Sequence, residues 1–598
     1  MTTRSLLRLT LAGAVATGGM LLAGLPADAS KAPHKPKPST VPVRLLALND
    51  FHGNLEPPTG SSGRMVDENG NTVDAGGAAY VATHMKALTN KNTIAVAQGD
   101  LIGATPLISA AYHDEPTVEL MGKLGLKVAA VGNHEFDEGY DELRRIMKGG
   151  CHPVDGCSPA GRWKGAAFDY IGANVLFKNR HERSDALSAL GNSPQIKKLL
   201  ADWGVPALPP VSIKRVNGVP IGFIGLVTQT TPTIVTAEGI KDIKFVDEVK
   251  AANVASKLLQ LVGVKAQVVL VHEGDQVTPE QSPDACSAIP GAGSRIATQV
   301  DPEIDIVLSG HSHQAYLCKV KDPKGRDRLF SQGGSFGRVI TQVDFEVDKH
   351  TRDIDRSSVV ADNHVVTRTV TPDPQISAFV QTWKDRVAEV ANRPIGQITA
   401  DIPNVATASG ESPLGDLIAD AQLAATRTGG NAQVALMNPG GVRASLTYAS
   451  STAGEGDGVV TYGEAFTVQP FNNLMQVVTL TGAQLKTLLE EQFTGGPNNQ
   501  PFDRILQPSA NLTYTYSQSA PWGSKVSDLA IDGQPVSDTQ TIRVAANNFL
   551  IGGGDGFTTF TQGTDLWSGP LDIDAFVDYL GQNSPIAPPE TNRITVAG

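Results

Sequence analysis

Six short apolar runs rich in β-branched residues (43–48, 93–97, 127–131, 220–227, 267–271 and 304–308) alternate with longer stretches of helical or loop character. Nearly unbroken apolar runs of this length fit strands buried on both faces, which need helices to cover their sheet. The region to about residue 345 therefore reads as a layered α/β domain. The chain has 598 residues, too many for one core. Between 372 and 394 the residues Ile376, Phe379, Val380, Trp383, Val387 and Val390 recur at spacings of three and four, predicting one amphipathic helix that joins two domains. Beyond it, strands such as 476–480 and 541–545 lie among Gly-rich segments, which fits a second, α+β domain. The expected division is 43–365, a linker helix at 372–394, and 395–598.

The residues before 43 read differently. Arg4 and Arg8 precede an apolar run, 9–25, and then Ala27-Asp28-Ala29. That is the layout of a signal peptide with cleavage after Ala29; a membrane anchor is the alternative, but the run is short and broken by Gly and Pro. Residues 30–42, with four Pro and three Lys, read as an extended tether. The expected location is secreted, either extracellular or attached to the cell wall, with no membrane span. An even count of four cysteines suits such a compartment. The short loop between Cys151 and Cys157 favours their pairing, leaving Cys286 with Cys318, although three connectivities are open. The net charge of -12 gives the chain no cationic field for nucleic acid, so a polyanion site has to be local or metal-based.

The residues directly after the apolar runs carry the chemistry. Run 43–48 leads into Asn49-Asp50-Phe51-His52, 93–97 into Gly99-Asp100, and 127–131 into Gly132-Asn133-His134-Glu135-Phe136-Asp137. Run 267–271 ends at His272, and 304–308 at Ser309-Gly310-His311-Ser312-His313. Open α/β sheets build their sites at the carboxyl ends of strands. Singly, an Asp there is a helix cap and a His a core residue; five strands delivering oxygen and imidazole together point to metal. Asp50 with His52, and His311 with His313, are two apart and can face one site. Five of the twelve histidines lie in these segments and none follows His364. His84, His113, His152, His181, His350 and His364 read as ordinary surface or core residues. Seven candidate ligands, Asp50, His52, Asp100, Asn133, His272, His311 and His313, suit two ions bridged by one carboxylate. Oxygen and imidazole without thiolate point to Mn, Zn, Fe or Co.

These motifs resemble, in order, those of calcineurin-like metallophosphoesterases. Asn438-Pro-Gly-Gly-Val-Arg443, Pro470-Phe471-Asn472-Asn473 and Asn548-Phe549 with Gly553-Gly554-Asp555-Gly556-Phe557 resemble the C-terminal domain of secreted bacterial 5'-nucleotidases. The resemblance implies a four-layer β-sandwich flanked by helices, joined to an α+β substrate-binding domain. It implies one metal on Asp50, His52, Asp100 and His313, and a second on Asp100, Asn133, His272 and His311. It gives His134 the phosphate and the leaving group, oriented by Asp137. It places a nucleobase between Phe471 and Phe549, phosphate or ribose on Asn438 and Arg443, ribose hydroxyls on Asp555, and further substrate contacts on Asn133 and Asn473. Two departures stand out: many relatives carry an Arg ahead of Glu411, where 406–410 has no basic residue, and some have Gln in place of His313. The implied function is a metal-dependent 5'-nucleotidase in which a hydroxide activated by two divalent ions attacks phosphorus. Its expected partner is a small-molecule nucleotide, acted on by a monomer or weak dimer. The alternatives are a broader hydrolase acting on nucleotide sugars or 2',3'-cyclic nucleotides, and an inert extracellular nucleotide-binding protein.

Overall fold

Two six-stranded mixed sheets face each other across a shared apolar core. The first runs, edge to edge, Ile354–Val365, Val339–Asp348, Thr40–Leu48, Thr93–Gln98, Leu126–Ala130 and Asp169–Ile171. The second runs Ala315–Lys321, Asp327–Gly333, Ile306–Ser309, Gln267–His272, Val219–Val227 and Val211–Val216. The computed structural model describes residues 39–597 except 180–194, 196–197, 200–202, 236–237, 279–281, 450–453, 499 and 501. The apolar leader, most of the tether and His181 lie outside the described residues.

The apolar runs alternate sides as a pleated strand requires. In Thr40–Leu48, Leu45 and Ala47 join Ile221, Phe223, Val268 and Leu270 between the sheets, while Leu46 and Leu48 face the opposite way. There the helices Ala78–Leu88 and Pro374–Ala391 cover the first sheet with Val81, Met85 and Trp383. Helices Glu248–Leu261 and Ala292–Gln299 cover the second with Ala251, Leu258, Leu259 and Ile296. The result is the four-layer arrangement of helix, sheet, sheet and helix that the sequence implied. Strand Val219–Val227 is buried along its whole length, as expected of a strand covered on both faces.

The first strand starts earlier than expected. Thr40, Val41 and Pro42 belong to it and not to a tether, because Val339–Asp348 is long enough to pair with them: Thr40 lies opposite Asp348 and Pro42 opposite Glu346. Pairing on the other side begins only at Arg44, so the missing N–H of Pro42 interrupts no ladder there.

Helix Pro374–Ala391 begins where Asp373 accepts from the amides of Gln375 and Ile376, with Pro374 at the first helical position. Its Trp383 is 1 % exposed, and replacing a side chain buried to that degree with Ala costs about 3 to 5 kcal/mol. After it, a five-stranded sheet runs Gln507–Pro508, Val434–Met437, Thr541–Asn547, Leu474–Thr481 and Thr564–Leu571. A four-stranded sheet accompanies it, packed through Leu512, Tyr514, Val526 and Ile594. Helices Pro413–Gly430 and Asp572–Asn583 complete this part, which is α+β as read from sequence. Both parts fall in one unit, Thr40–Gly598. The cysteines pair as Cys151–Cys157 and Cys286–Cys318. Among the described residues no helix is long and apolar enough to cross a membrane.

Candidate metal centre and nucleotide cavity

Thr40–Leu48, Thr93–Gln98 and Leu126–Ala130 run parallel in the first sheet, as do Val219–Val227, Gln267–His272 and Ile306–Ser309 in the second. Their carboxyl ends therefore open on the same edge of the sandwich, and the loops after them meet there. His52 Nε2 lies 3.2 Å from His313 Nε2 and 3.7 Å from Asp100 Oδ2. His313 Nε2 lies 3.4 Å from Asp50 Oδ1, and His272 Nε2 2.8 Å from Asp100 Oδ2. Two groups capable of holding an ion result, Asp50 with His52 and His313, and Asp100 with His272 and His311.

The ring nitrogens facing away are tied down. His52 Nδ1 lies 2.8 Å from the carbonyl of Gly103, and His272 Nδ1 2.8 Å from that of Gln98. A carbonyl only accepts, so both Nδ1 atoms carry a proton and both Nε2 atoms face the cluster, where burial is outweighed by Asp100, which raises His272 to about 9. Burial pushes His52 and His311 down to about 4, which keeps those rings neutral and able to ligate. Burial acts against the charge on Asp50 and Asp100 as well, but the facing histidines hold both carboxylates below their usual range.

The backbone is bent to make this convergence. Asp50, His52, Asp100, His311 and His313 all adopt positive φ, between 44° and 73°. For residues other than glycine this is an unfavourable region that persists where the surroundings enforce it, and it concentrates at functional sites. Glycine serves where there is no room: a Cβ on Gly132 would meet Asp100 Oδ1 at 2.1 Å.

Several contributors escaped the sequence reading. Glu135 accepts from the amides of Asp100 and Leu101, both at 2.9 Å, and so fixes the turn that carries Asp100. Asn49 donates to Asp50 Oδ2 at 2.7 Å. Asp114 accepts from the amide of Gly103, the same residue whose carbonyl anchors His52. Asn49 and Glu135 are polar residues within two positions of a cluster ligand in the chain, which does not separate a supporting role from solvent exposure, and Asp114 has no such neighbour.

A divalent metal fits this donor set. One buried polar atom at the cluster, Asn133 Oδ1, has no hydrogen-bond partner, a costly state that an ion would relieve. Imidazole and carboxylate without thiolate suit the borderline and hard divalent ions.

Beside the cluster, His134 Nδ1 lies 2.7 Å from Asp137 Oδ2. Burial opposes charging of His134, but Asp137 and then Asp100 outweigh it and raise the group to about 10, so the imidazolium persists at neutral pH. His134 opens onto a cavity of about 440 Å³. Its walls come from both parts of the chain: His52, Ala104, His134, His313 and Phe336 on one side, and residues from Asn438 to Asp555 on the other. Phe471 and Phe549 are 43 % and 46 % exposed and both line it, so they are wall residues and not core. Asn438 donates to Asp555 Oδ2 at 3.1 Å and accepts from Asn547 at 3.0 Å. Arg443 lies over the Phe471 ring at 5.7 Å. Asn473 lines the cavity too, though its amide is held by Asp572 at 3.0 Å. Asn472 donates to the Thr105 carbonyl across the two parts at 3.2 Å.

Segment 406–410, which has no basic residue, packs beside the segment that carries Arg504. Gly410 packs against Ile505, and the neighbouring Arg504 sits 3.6 Å from Asp555 Oδ1 and over Phe502 at 4.5 Å. A larger crevice of about 720 Å³ lies elsewhere, but Arg356 there is spent on Asp305 and Asp322 at 2.8 and 2.9 Å.

Residues 43–315 match the model of the calcineurin-like phosphoesterase family, and 394–562 that of the 5'-nucleotidase C-terminal domain. The chain is 32% identical to endonuclease YhcR of Bacillus subtilis over 93% of its own length, spanning 41% of that protein. It is also 32% identical to the cell wall protein Lmo0130 of Listeria monocytogenes, over 90% of this chain and 67% of that one. A crystal structure of a 5'-nucleotidase precursor from Thermus thermophilus is similar with a TM-score of 0.55 and 26% identity, covering 93% of this chain and 99% of that one. With both family models matched in order and the parallel strand ends delivering their side chains to one cluster, the chain belongs to the calcineurin-like phosphoesterases that carry a 5'-nucleotidase C-terminal domain.

Proposed function

We propose that the chain hydrolyses nucleoside 5'-monophosphates to nucleoside and phosphate, with two divalent ions at the strand-end cluster. The observation that carries this reading is the cavity shared by His52, His134 and His313 on one wall and two half-exposed phenylalanines on the other. Its volume falls within the range of small-ligand sites.

Asp50, His52, Asp100 and His313 would hold one ion, and Asp100, Asn133, His272 and His311 the second, with Asp100 shared. Bound there, divalent ions supply activation of water and neutralisation of phosphoryl charge. The protein's own residues do the rest. His134, kept protonated by Asp137, offers a cation to the phosphate and a proton to the departing ribose oxygen. Phe471 and Phe549 take the two faces of the base, which any base possesses, so discrimination among bases is modest. Asp555, oriented by Asn438, accepts from ribose hydroxyls, and Arg443 adds charge near the phosphate. All of these residues come from one chain, which supports action as a monomer or weak dimer. The signal-peptide layout, the two disulfides and the similarity to a cell wall protein support export.

The test is phosphate release from AMP after chelation and after return of Mn or Zn, with Asp100→Ala as control. A UDP-sugar and 2',3'-cyclic AMP are run beside it, because the gap at 406–410 favours a wider range of substrates. Metal-dependent release from AMP, lost in the variant, is the expected result. A folded protein that releases nothing from AMP but cleaves the cyclic nucleotide would replace this reading with the wider one.

A further inference from the structure

His113 and His152, read from sequence as ordinary histidines, stand together with two carboxylates on a part of the surface that shares no residue with the nucleotide cavity. Their rings stack with centroids 3.7 Å apart and planes 17° from parallel. His113 Nδ1 lies 2.7 Å from Glu138 Oε2, and its Nε2 2.9 Å from Asp155 Oδ2. His152 Nδ1 lies 3.2 Å from the same Asp155 oxygen, and its Nε2 3.9 Å from Glu138 Oε2.

We propose that His113, His152 and Asp155 form a second divalent-metal site, of the zinc class, with Glu138 orienting His113 through its other nitrogen, so that three separate segments of the chain build it. Two imidazoles and one carboxylate are three N/O donors for a borderline cation, leaving the fourth tetrahedral position to water. Ligand atoms of His113, His152 and Asp155 already lie within 4.8 Å of one another, and Glu138, 2.7 Å from the other nitrogen of His113, fixes that ring so that its Nε2 faces the group. Neighbouring Glu142 is not part of it, because Arg145 occupies both its oxygens at 2.8 and 2.9 Å.

The loop that brings His152 and Asp155 is prepared for the role. Cys151 and Cys157 close it covalently, and His152 and Gly156 exchange two backbone hydrogen bonds at 2.8 and 3.0 Å. A closed loop presents two ligands at little further entropic cost, the general benefit of preorganisation. His113 adopts a φ of 49°, the same unfavourable region used by the ligands at the strand ends. Charge favours a cation as well. Glu138 and Asp155 together carry two negative charges, and Glu138, after burial and Asp578, also raises the carboxyl of Asp574 on a helix of the C-terminal part. The site adjoins the catalytic side of the domain, since Glu138 follows Asp137 and His113 precedes Asp114.

The test is zinc stoichiometry. The full-length protein is dialysed against buffered zinc and its bound metal counted by elemental analysis, for wild type, His152→Ala and Asp155→Ala. Each variant is expected to hold one equivalent less than wild type while keeping its kcat on p-nitrophenyl phosphate. Asp155 is the more exposed side chain, so its variant stands if His152→Ala fails to fold. In parallel, hydrogen exchange across 150–158 is expected to slow with zinc in wild type and to be unchanged by zinc in Asp155→Ala. Equal stoichiometry in folded wild type and Asp155→Ala would overturn the proposal. The count is independent of whether the strand-end cluster cleaves AMP, so failure here and failure of the nucleotidase reading are separately visible.

Discussion

Replacing Phe549 with Ala removes one wall of the slot in which a base would stack, and its effect can be worked from the exposure of the ring. Phe549 is 46 % exposed without a ligand. Of roughly 200 Å² for an aromatic side chain, about 90 Å² is thus available for a base to cover. At about 25 cal/mol per Å² that contact stabilises the bound nucleotide by about 2 kcal/mol, inside the range of 1 to 3 kcal/mol measured for a base on an aromatic ring. The expected loss in kcat/KM for AMP is therefore roughly 30-fold. Phe471, 43 % exposed, carries a similar amount. The assay compares AMP with ribose 5-phosphate, which has the same phosphate and sugar and no base. Stacking demands that the loss appear with AMP and be absent with ribose 5-phosphate. Equal losses on both substrates would refute the reasoning, because the ring would then be shaping the cavity and not gripping the base.

Asp137→Asn is expected to lower kcat for AMP by about 100-fold with little change in KM, since it removes the carboxylate that holds His134 protonated; unchanged kcat would show that His134 works without that bond. Chelation is expected to abolish turnover reversibly in wild type, and Asp100→Ala to prevent recovery when metal is returned; recovery in the variant would place the metal elsewhere. Asp416 yields a test of stability. Burial, opposed by Arg593 and assisted by Glu411, pushes its carboxyl up to about 8, and neither of its oxygens accepts a hydrogen bond. The folded chain holds this proton while the unfolded chain loses it near pH 4, so the group is neutral in its effect below about pH 4 and destabilises increasingly up to pH 8. The linkage is bounded at roughly 6 kcal/mol. Asp416→Asn is expected to raise Tm by several degrees at pH 8 and to leave it unchanged at pH 4; a gain of equal size at both would point to packing instead of charge.

The layered architecture was legible because strands buried on both faces write themselves as unbroken apolar runs, and Val219–Val227 is buried throughout. The side chains gathered at the strand ends were legible for a related reason: each comes directly after a run, so finding the strand finds the ligand. Their supports were not. The carbonyls of Gly103 and Gln98 that orient His52 and His272 are backbone groups with no residue signature. Glu135 acts through three amide bonds, from Asp100, Leu101 and Gly132, that any acidic residue in a turn could make. Arg504 reaches Asp555 from a distant part of the chain. The pairing of His113 with His152 depends on two loops meeting, which no periodicity records.

Among the described residues seventeen other than glycine have positive φ, and nine of them belong to the strand-end cluster or line the cavity beside it. A library selected only for heat resistance would find these positions first, because glycine there releases backbone tension at once. Its winners would be sturdier and inert. Improvement of this protein for practical use therefore has to be screened on turnover from the first round, with Asp50, His52, Asp100, His311 and His313 excluded from randomisation.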